Sequence, residues 1–425
     1  MIFGGWARWR GMLAVAVALS LSACGGGGSG SGGGGTPTPT PAPTPTPTPT
    51  PTPAALPPLG TPAQVVQLMA PGINLGNTLE SLDTWETAPF SVSKETVWGN
   101  PAATQAIFDA YAKAGFKSVR IPVSWVQYSD AQGTIAPFWL ARVKEVVDYA
   151  LKAGLIAIIN IHHDSFVIPD NAHKADADAK MKNYWKQIAT YFADYDNRLL
   201  FAGTNEVHMP DVYSAPTIEN CTVQAGFNQD FVDAVRATGG NNASRTLIIQ
   251  HYATNIDWGL DICHSATLPN DSIANRLMVE VHFYSPFDFV DSGPTWDTHW
   301  QWGALATNTD PSTLNPCCQE SYVRDQMERM RTAYISKGVP VIMGEYGAAM
   351  KNTGPGKGID TYVNYWDGYV TYAAIQHGVV PMYWDIGELI DRNTGATKNP
   401  GVLNAIMSGM TKDPEPASSV GVNGH

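Results

Sequence analysis

The sequence predicts an α/β protein: a single (β/α)8 TIM barrel over residues 61–411, preceded by a disordered Gly-rich and Thr-Pro linker. Three observations carry that expectation. From residue 61 short apolar runs alternate with amphipathic stretches, the pattern of strands that each return through a helix. No Gly-rich phosphate turn follows any of these runs, which argues against a doubly wound nucleotide-binding sheet. Polar residues stand at the ends of six of the eight runs, where a barrel gathers its chemistry.

The first segment is an address and a tether. Arg8 and Arg10 precede an apolar run, Met12 to Leu21, too short to cross a bilayer but suited to a signal peptide over residues 1–23. The run ends in Leu21-Ser22-Ala23-Cys24, which resembles a bacterial lipobox and makes Cys24 the expected lipidation site and membrane anchor. The alternative is an ordinary secreted protein cut nearby. Residues 24–60 form the linker: 13 of the 40 Gly and 11 of the 31 Pro lie within residues 1–60. The remaining chain therefore has an ordinary globular composition. The Thr-Pro part favours polyproline II and reaches on the order of 50 Å, as suits a head working away from a membrane. The expected location is the cell surface or outer membrane, with free secretion as the alternative. Residues 412–425 read as a short polar tail.

Charge narrows the partners. Beyond residue 60 there are 24 Lys+Arg against 38 Asp+Glu and no basic stripe, so no nucleic-acid partner is expected. Four cysteines besides Cys24 suit an oxidising compartment. Since adjacent cysteines rarely pair, Cys221 and Cys263 are expected to join Cys317 and Cys318 in some order. A zinc site lacks any C-x-x-C spacing.

In chain order the expected strands are 72–77, 117–123, 155–162, 199–206, 246–252, 276–284, 340–346 and 380–385. Helices are expected over 101–114, 138–153, 175–192, 221–238, 322–336 and 362–377. Polar groups are costly inside apolar strands, so those at the strand ends mark a site. They are Arg120 on the second, His162-His163-Asp164 on the third and Asn205-Glu206 on the fourth. His282 and Tyr284 follow on the sixth, Glu345 on the seventh and Trp384-Asp385 on the eighth. Glu206 and Glu345 would face each other across the mouth, the pair a glycosidase uses as proton donor and as nucleophile or base. Burial would raise the Glu345 pKa unless Arg120 and Tyr284 hold it ionised. The two histidines invite a metal, but neighbours on a strand point oppositely, so His162 should face the site and His163 lie behind it.

Gly72-Ile-Asn-Leu-Gly-Asn77, Arg120-Ile-Pro-Val-Ser-Trp125, Asn160-Ile-His-His-Asp164, Asn205-Glu206, His282-Phe-Tyr284, Gly344-Glu-Tyr-Gly347 and Trp384 occur in the order found in glycoside hydrolase family 5. Together they resemble its endo-β-1,4-glucanase branch over essentially all of 61–411. The resemblance implies a retaining enzyme on a β-glucan polysaccharide, with Glu206 as acid/base and Glu345 as nucleophile. It also implies that Arg120, His162, Asn205, His282, Tyr284 and Trp384 surround the sugar under attack. No metal or organic cofactor is implied, and a monomer is expected. Two departures stand out: Val207-His208 follow the Asn-Glu pair where the family usually has Pro, and Ala202 replaces a common acidic residue. Mixed-linkage glucan, xyloglucan, mannan or xylan are the alternative substrates, and a non-catalytic glycan-binding lipoprotein is the rival outside enzymology. Trp85, Trp98, Trp125, Trp258, Trp296, Trp300 and Trp302 fall in or near loops after strands, as sugar platforms or as packing residues.

Overall fold

The structure, a computed structural model, describes residues 60–265, 267–291, 299–307, 309–350 and 359–416. The signal peptide, Cys24, the linker up to residue 59, Trp296 and most of the tail lie outside the described residues. Eight strands close into a barrel in chain order. They are β1 (Gly72–Asn74), β2 (Ser118–Ile121), β3 (Ile156–Asn160), β4 (Leu199–Ala202), β5 (Leu247–Gln250), β6 (Leu277–Phe283), β7 (Val341–Tyr346) and β8 (Val379–Tyr383). Every pairing is parallel, including the β1–β8 pair that closes the ring.

The helices are α1 (Pro62–Val66), α2 (Gln105–Ala114), α3 (Pro137–Lys152), α4 (Lys174–Tyr191), α5 (Ile218–Arg236), α6 (Phe287–Val290), α7 (Glu320–Ala333), α8 (Ile359–Gln376) and α9 (Pro400–Gly409). Their starts follow local chemistry. Pro137 and Pro400 open α3 and α9, where a missing N–H costs nothing. Thr217 and Asn220 form a reciprocal cap on α5, satisfying two backbone donors. The strand–helix repeat fails once. Among the described residues β5 reaches β6 through a 3-10 turn (Tyr252–Thr254) and a π turn (Trp258–Ile262), without an α-helix. The stretch between β5 and β6 carries Gly259, Pro269 and the polar run Asn270-Asp271-Ser272, and has no long amphipathic period.

Alternation along the strands separates two apolar layers. Ile156, Ile158, Leu200, Ala202, Ile248, Met278 and Ile342 fill the barrel interior, and Val65 and Met69 from α1 and its exit pack with them. Ala157, Ile159, Leu199, Phe201 and Val279 face the helices in the larger outer core. This is the two-residue period of a strand buried on both faces.

The cysteines correct the expectation. Cys221 pairs with Cys263, Cα to Cα 5.1 Å, and Cys317 bonds its neighbour Cys318. Cys221 lies in the first turn of α5 after β4, and Cys263 ends the turn after β5, so the two lie on adjacent barrel connections. Cys317 and Cys318 lie on the β6–β7 connection and are left with each other.

Candidate active site

Parity along the strands decides which side chains enter the mouth. On β2, Ser118 and Arg120 point inward; on β6, Met278, Glu280 and His282 do. On β7, Ile342 points inward, so Glu345 would face the helices in a regular strand. A bulge reverses this. His282 pairs with Glu345 after Val281 pairs with Met343, so Gly344 is an extra residue against β6, and the register slips likewise against β8. The bulge turns Glu345 into the barrel. A Cβ on Gly344 would lie 2.0 Å from Glu280 Oε1, so only glycine fits there.

Arg120 is the hub, with no solvent exposure. Its Nη1 donates to Glu345 Oε1 at 2.7 Å and to Asn74 Oδ1 at 3.1 Å, and its Nη2 to Asn205 Oδ1 at 2.6 Å. Its Nε lies 2.8 Å from Glu280 Oε1. Asn74 in turn donates to the carbonyls of Gly344 and Tyr383, tying β1 to β7 and β8 beside the site. Because Asn205 accepts through Oδ1, its amide N–H groups point elsewhere and are free to meet a sugar hydroxyl.

Glu345 receives donors on both oxygens: Arg120 on Oε1 and the Tyr284 hydroxyl on Oε2 at 3.1 Å. Burial raises its pKa, and the charges of His282 and Arg120 oppose the rise. Glu206 is held differently. Its Oε1 lies 2.7 Å from His282 Nδ1, while its Oε2 has no hydrogen-bond partner among the described residues. Glu206 also sits beyond the end of β4 at φ 44°, a left-handed backbone that costs a non-glycine residue on the order of 1–3 kcal/mol. An oxygen of Glu206 and one of Glu345 lie within 4.8 Å of each other. That falls in the short class of carboxyl pairs, about 5 Å, in which one group attacks directly, and not the class of about 6.5–9.5 Å that leaves room for water.

His162 and Trp384 stack at 5.9 Å with their rings 6° from parallel. Asn160 Nδ2 donates to His162 Nδ1 at 3.0 Å, so the proton of the neutral ring is on Nε2. Burial pushes the His162 pKa well down, and His163 falls to about 4 for the same reason. The histidine geometry departs from the expectation of opposite faces. β3 ends at Asn160, strand alternation no longer applies, and the two rings touch at 4.3 Å. His163 then packs on Trp98 at 5.6 Å. Asp164 and Asp385 are loop braces: Asp164 accepts the Trp125 and Val126 amides, and Asp385 those of Gly387, Glu388 and Leu389.

The tryptophans divide. Trp125 and Trp302 are core residues with no exposure. Trp300 packs on Tyr362. Trp258 lines a cleft of about 200 Å3 with Glu206, His282, Tyr284 and Phe287. Trp85 and Trp98 are exposed in the loop after β1, 71% and 41%. Trp98 lies on the connection after β1 and Trp258 on the connection after β5, halfway round the ring, and such rings are of the kind a pyranose lies against.

The sequence reading missed Glu280 and the bracing role of Asn74. Glu280 carried a readable signal: it is the one charged residue in the apolar run Leu277–Phe283, two positions before His282 and so on the same face. Glu206, His282 and Glu345 are spaced as a cation site could be. Both His282 nitrogens, however, already meet carboxylate oxygens.

A parallel eight-stranded barrel with an acidic pair across its C-terminal mouth defines the class of barrel glycosidases. The chain belongs to glycoside hydrolase family 5, the cellulase family, whose profile matches residues 82–389. It is 39% identical over 361 residues to a xyloglucan-specific endo-β-1,4-glucanase of Bacteroides ovatus, covering 82% of this chain and 70% of that one. It is 36% identical over 375 residues to endoglucanase A of Paenibacillus barcinonensis, covering 82% and 90%. Among solved structures, a Bacteroides ovatus family 5 xyloglucanase bound to a XXXG heptasaccharide superposes with a TM-score of 0.77 at 38% identity. That match covers 83% of this chain and 77% of the other.

Proposed function

We propose that the protein is a retaining, endo-acting β-glycosidase that cuts internal β-1,4-glucosidic bonds of cellulose or related β-glucans. The observation that carries this reading is the short Glu206–Glu345 pair with unequal hydrogen bonding. Glu345, with donors on both oxygens, attacks the anomeric carbon. Glu206, with one oxygen unengaged, gives its proton to the departing glycosidic oxygen. The glycosyl–Glu345 ester is then released by water, whose proton Glu206 takes back. Arg120, His162, Asn205, His282, Tyr284 and Trp384 hold the sugar under attack, and His163 backs His162.

The test is a panel of soluble cellulose derivative, mixed-linkage glucan, xyloglucan, mannan and xylan, with product lengths and the first-formed anomer read by NMR. The expected result is a falling viscosity with oligosaccharide products and the β-anomer first. An α-anomer first, or no cleavage of any of the five, sinks the reading. Xyloglucan is the second reading to hold open, supported by the naming of the Bacteroides ovatus relative.

We also propose that Cys24 carries a lipid that holds the enzyme at the cell envelope by its Gly-rich and Thr-Pro tether. Expression in a bacterial host fed labelled palmitate should give a membrane-bound, labelled protein. Cys24→Ser should lose the label and partition as soluble; equal labelling of both would exclude the anchor.

A further inference from the structure

Five ionisable groups meet at the barrel mouth with Arg120 as their fixed cation: Glu206, Glu280, His282 and Glu345 complete the set. His282 Nδ1 lies 2.7 Å from Glu206 Oε1 and 3.6 Å from Glu345 Oε2, and its Nε2 lies 3.2 Å from Glu280 Oε1. A neutral imidazole has one N–H and one bare nitrogen. The buried Arg120 guanidinium, 2.8 Å from Glu280 Oε1 through Nε, favours the ionised carboxylate, so Glu280 is an acceptor and His282 Nε2 must be the donor. Nδ1, with two carboxylates before it, is then best satisfied by a second N–H.

We propose that Glu280 is a positioning residue that keeps His282 doubly protonated, so that the Glu206–Glu345 pair retains the one further proton that glycosidic cleavage consumes. The charge balance gives the reason. Two cations and three carboxylates leave one excess negative charge in a pocket where Arg120 and Glu280 are wholly buried. A single proton on the Glu206–Glu345 pair neutralises it, which is one acid beside one carboxylate. Without the Glu280 charge, and with His282 still protonated beside Glu206 and Glu345, the pocket is neutral with both carboxylates ionised, and the acid is lost. The fit of Glu280 is specific, since Gly344 leaves the space its carboxyl group fills.

The pH dependence has a sign. Burial would lower the His282 pKa, but the charge of Glu345 and the bonds to Glu206 and Glu280 more than offset it and push it up to about 9. The imidazolium is therefore present below that value and lost as pH rises through it. The groups facing His282 are His162 beyond β3, Glu206 beyond β4, Glu280 from β6 and Glu345 from β7, with Arg120 of β2 behind Glu280 and Glu345 and the Tyr284 hydroxyl, just past β6, on Glu345.

The proposal rests on the roles given above to Glu206 and Glu345, and its first test needs no turnover. In the full chain with 15N-labelled histidine, the His282 ring, identified by its loss in His282→Asn, should show two protonated nitrogens at neutral pH. In Glu280→Gln the ring should titrate at lower pH than in the unaltered protein. The alkaline limb of kcat should move to lower pH, and kcat on that limb should fall about tenfold or more, with KM within about twofold. A bare ring nitrogen in the unaltered protein overturns the proposal without any variant, so a misfolded Glu280→Gln does not shelter it. Identical titration in both proteins overturns it too, reducing Glu280 to a packing partner of Arg120. A protein inactive on every glucan but carrying the His282 imidazolium would sink the enzymatic reading and leave the charge assignment standing.

Discussion

Glu345→Ala should leave a folded barrel whose kcat on soluble β-glucan is lower on the order of 10^5-fold. The loss is that large because, in the mechanism proposed above, the change removes the attacking group itself, and no other carboxylate can replace it. Glu206 is held beyond the end of β4 by His282, and Glu280 is pinned under Arg120. Folding should survive because Arg120 keeps Glu280, Asn74 and Asn205 as partners. Reducing-sugar release measured beside a thermal melt separates the two effects. Turnover within tenfold of the unaltered protein, with the melt unchanged, would remove Glu345 from the role of nucleophile.

Glu206→Ala should divide substrates by their leaving groups. On polysaccharide the departing alkoxide needs a proton, and the loss should be about 10^2–10^4-fold. On a dinitrophenyl cellobioside the leaving group needs none. The first step should persist as a burst of dinitrophenolate, followed by slow release of the glycosyl-enzyme, because the base that activates water is gone. Equal losses on both substrates, with no burst, would mean that Glu206 does not transfer the proton.

The fold was legible because a barrel strand buried on both faces leaves a plain mark, an apolar run with polar groups at its end. Boundaries were less so. The run at residues 199–206 reads as one strand, yet the ladder stops at Ala202 and the chain turns through a left-handed residue to present Glu206. Residues that continue an apolar or functional pattern need not continue the hydrogen bonding. The same effect misled the reading of His162 and His163, which lie past the end of β3, where the period of two has no hold.

Glu206, Glu345, Arg120 and their neighbours were found because chemistry-bearing residues stood at corresponding ends of successive runs. Glu280 was overlooked because it stands a full period deeper, where an isolated charge is easily passed over, and its partners come from β2 and β7, far away in sequence. The disulfides show the same limit. Which loops are neighbours around the ring is a property of the closed barrel, and cysteine spacing does not encode it.

The extra residue on β7 makes the aim of Glu345 depend on a count. Substitutions along the strand leave its parity intact, whereas gaining or losing a single residue would swing the carboxylate toward the helices. What is inherited at this point is a length as much as a side chain. Descendants of this sequence are free to vary the apolar residues of β7 by replacement, and are barred from insertions and deletions there.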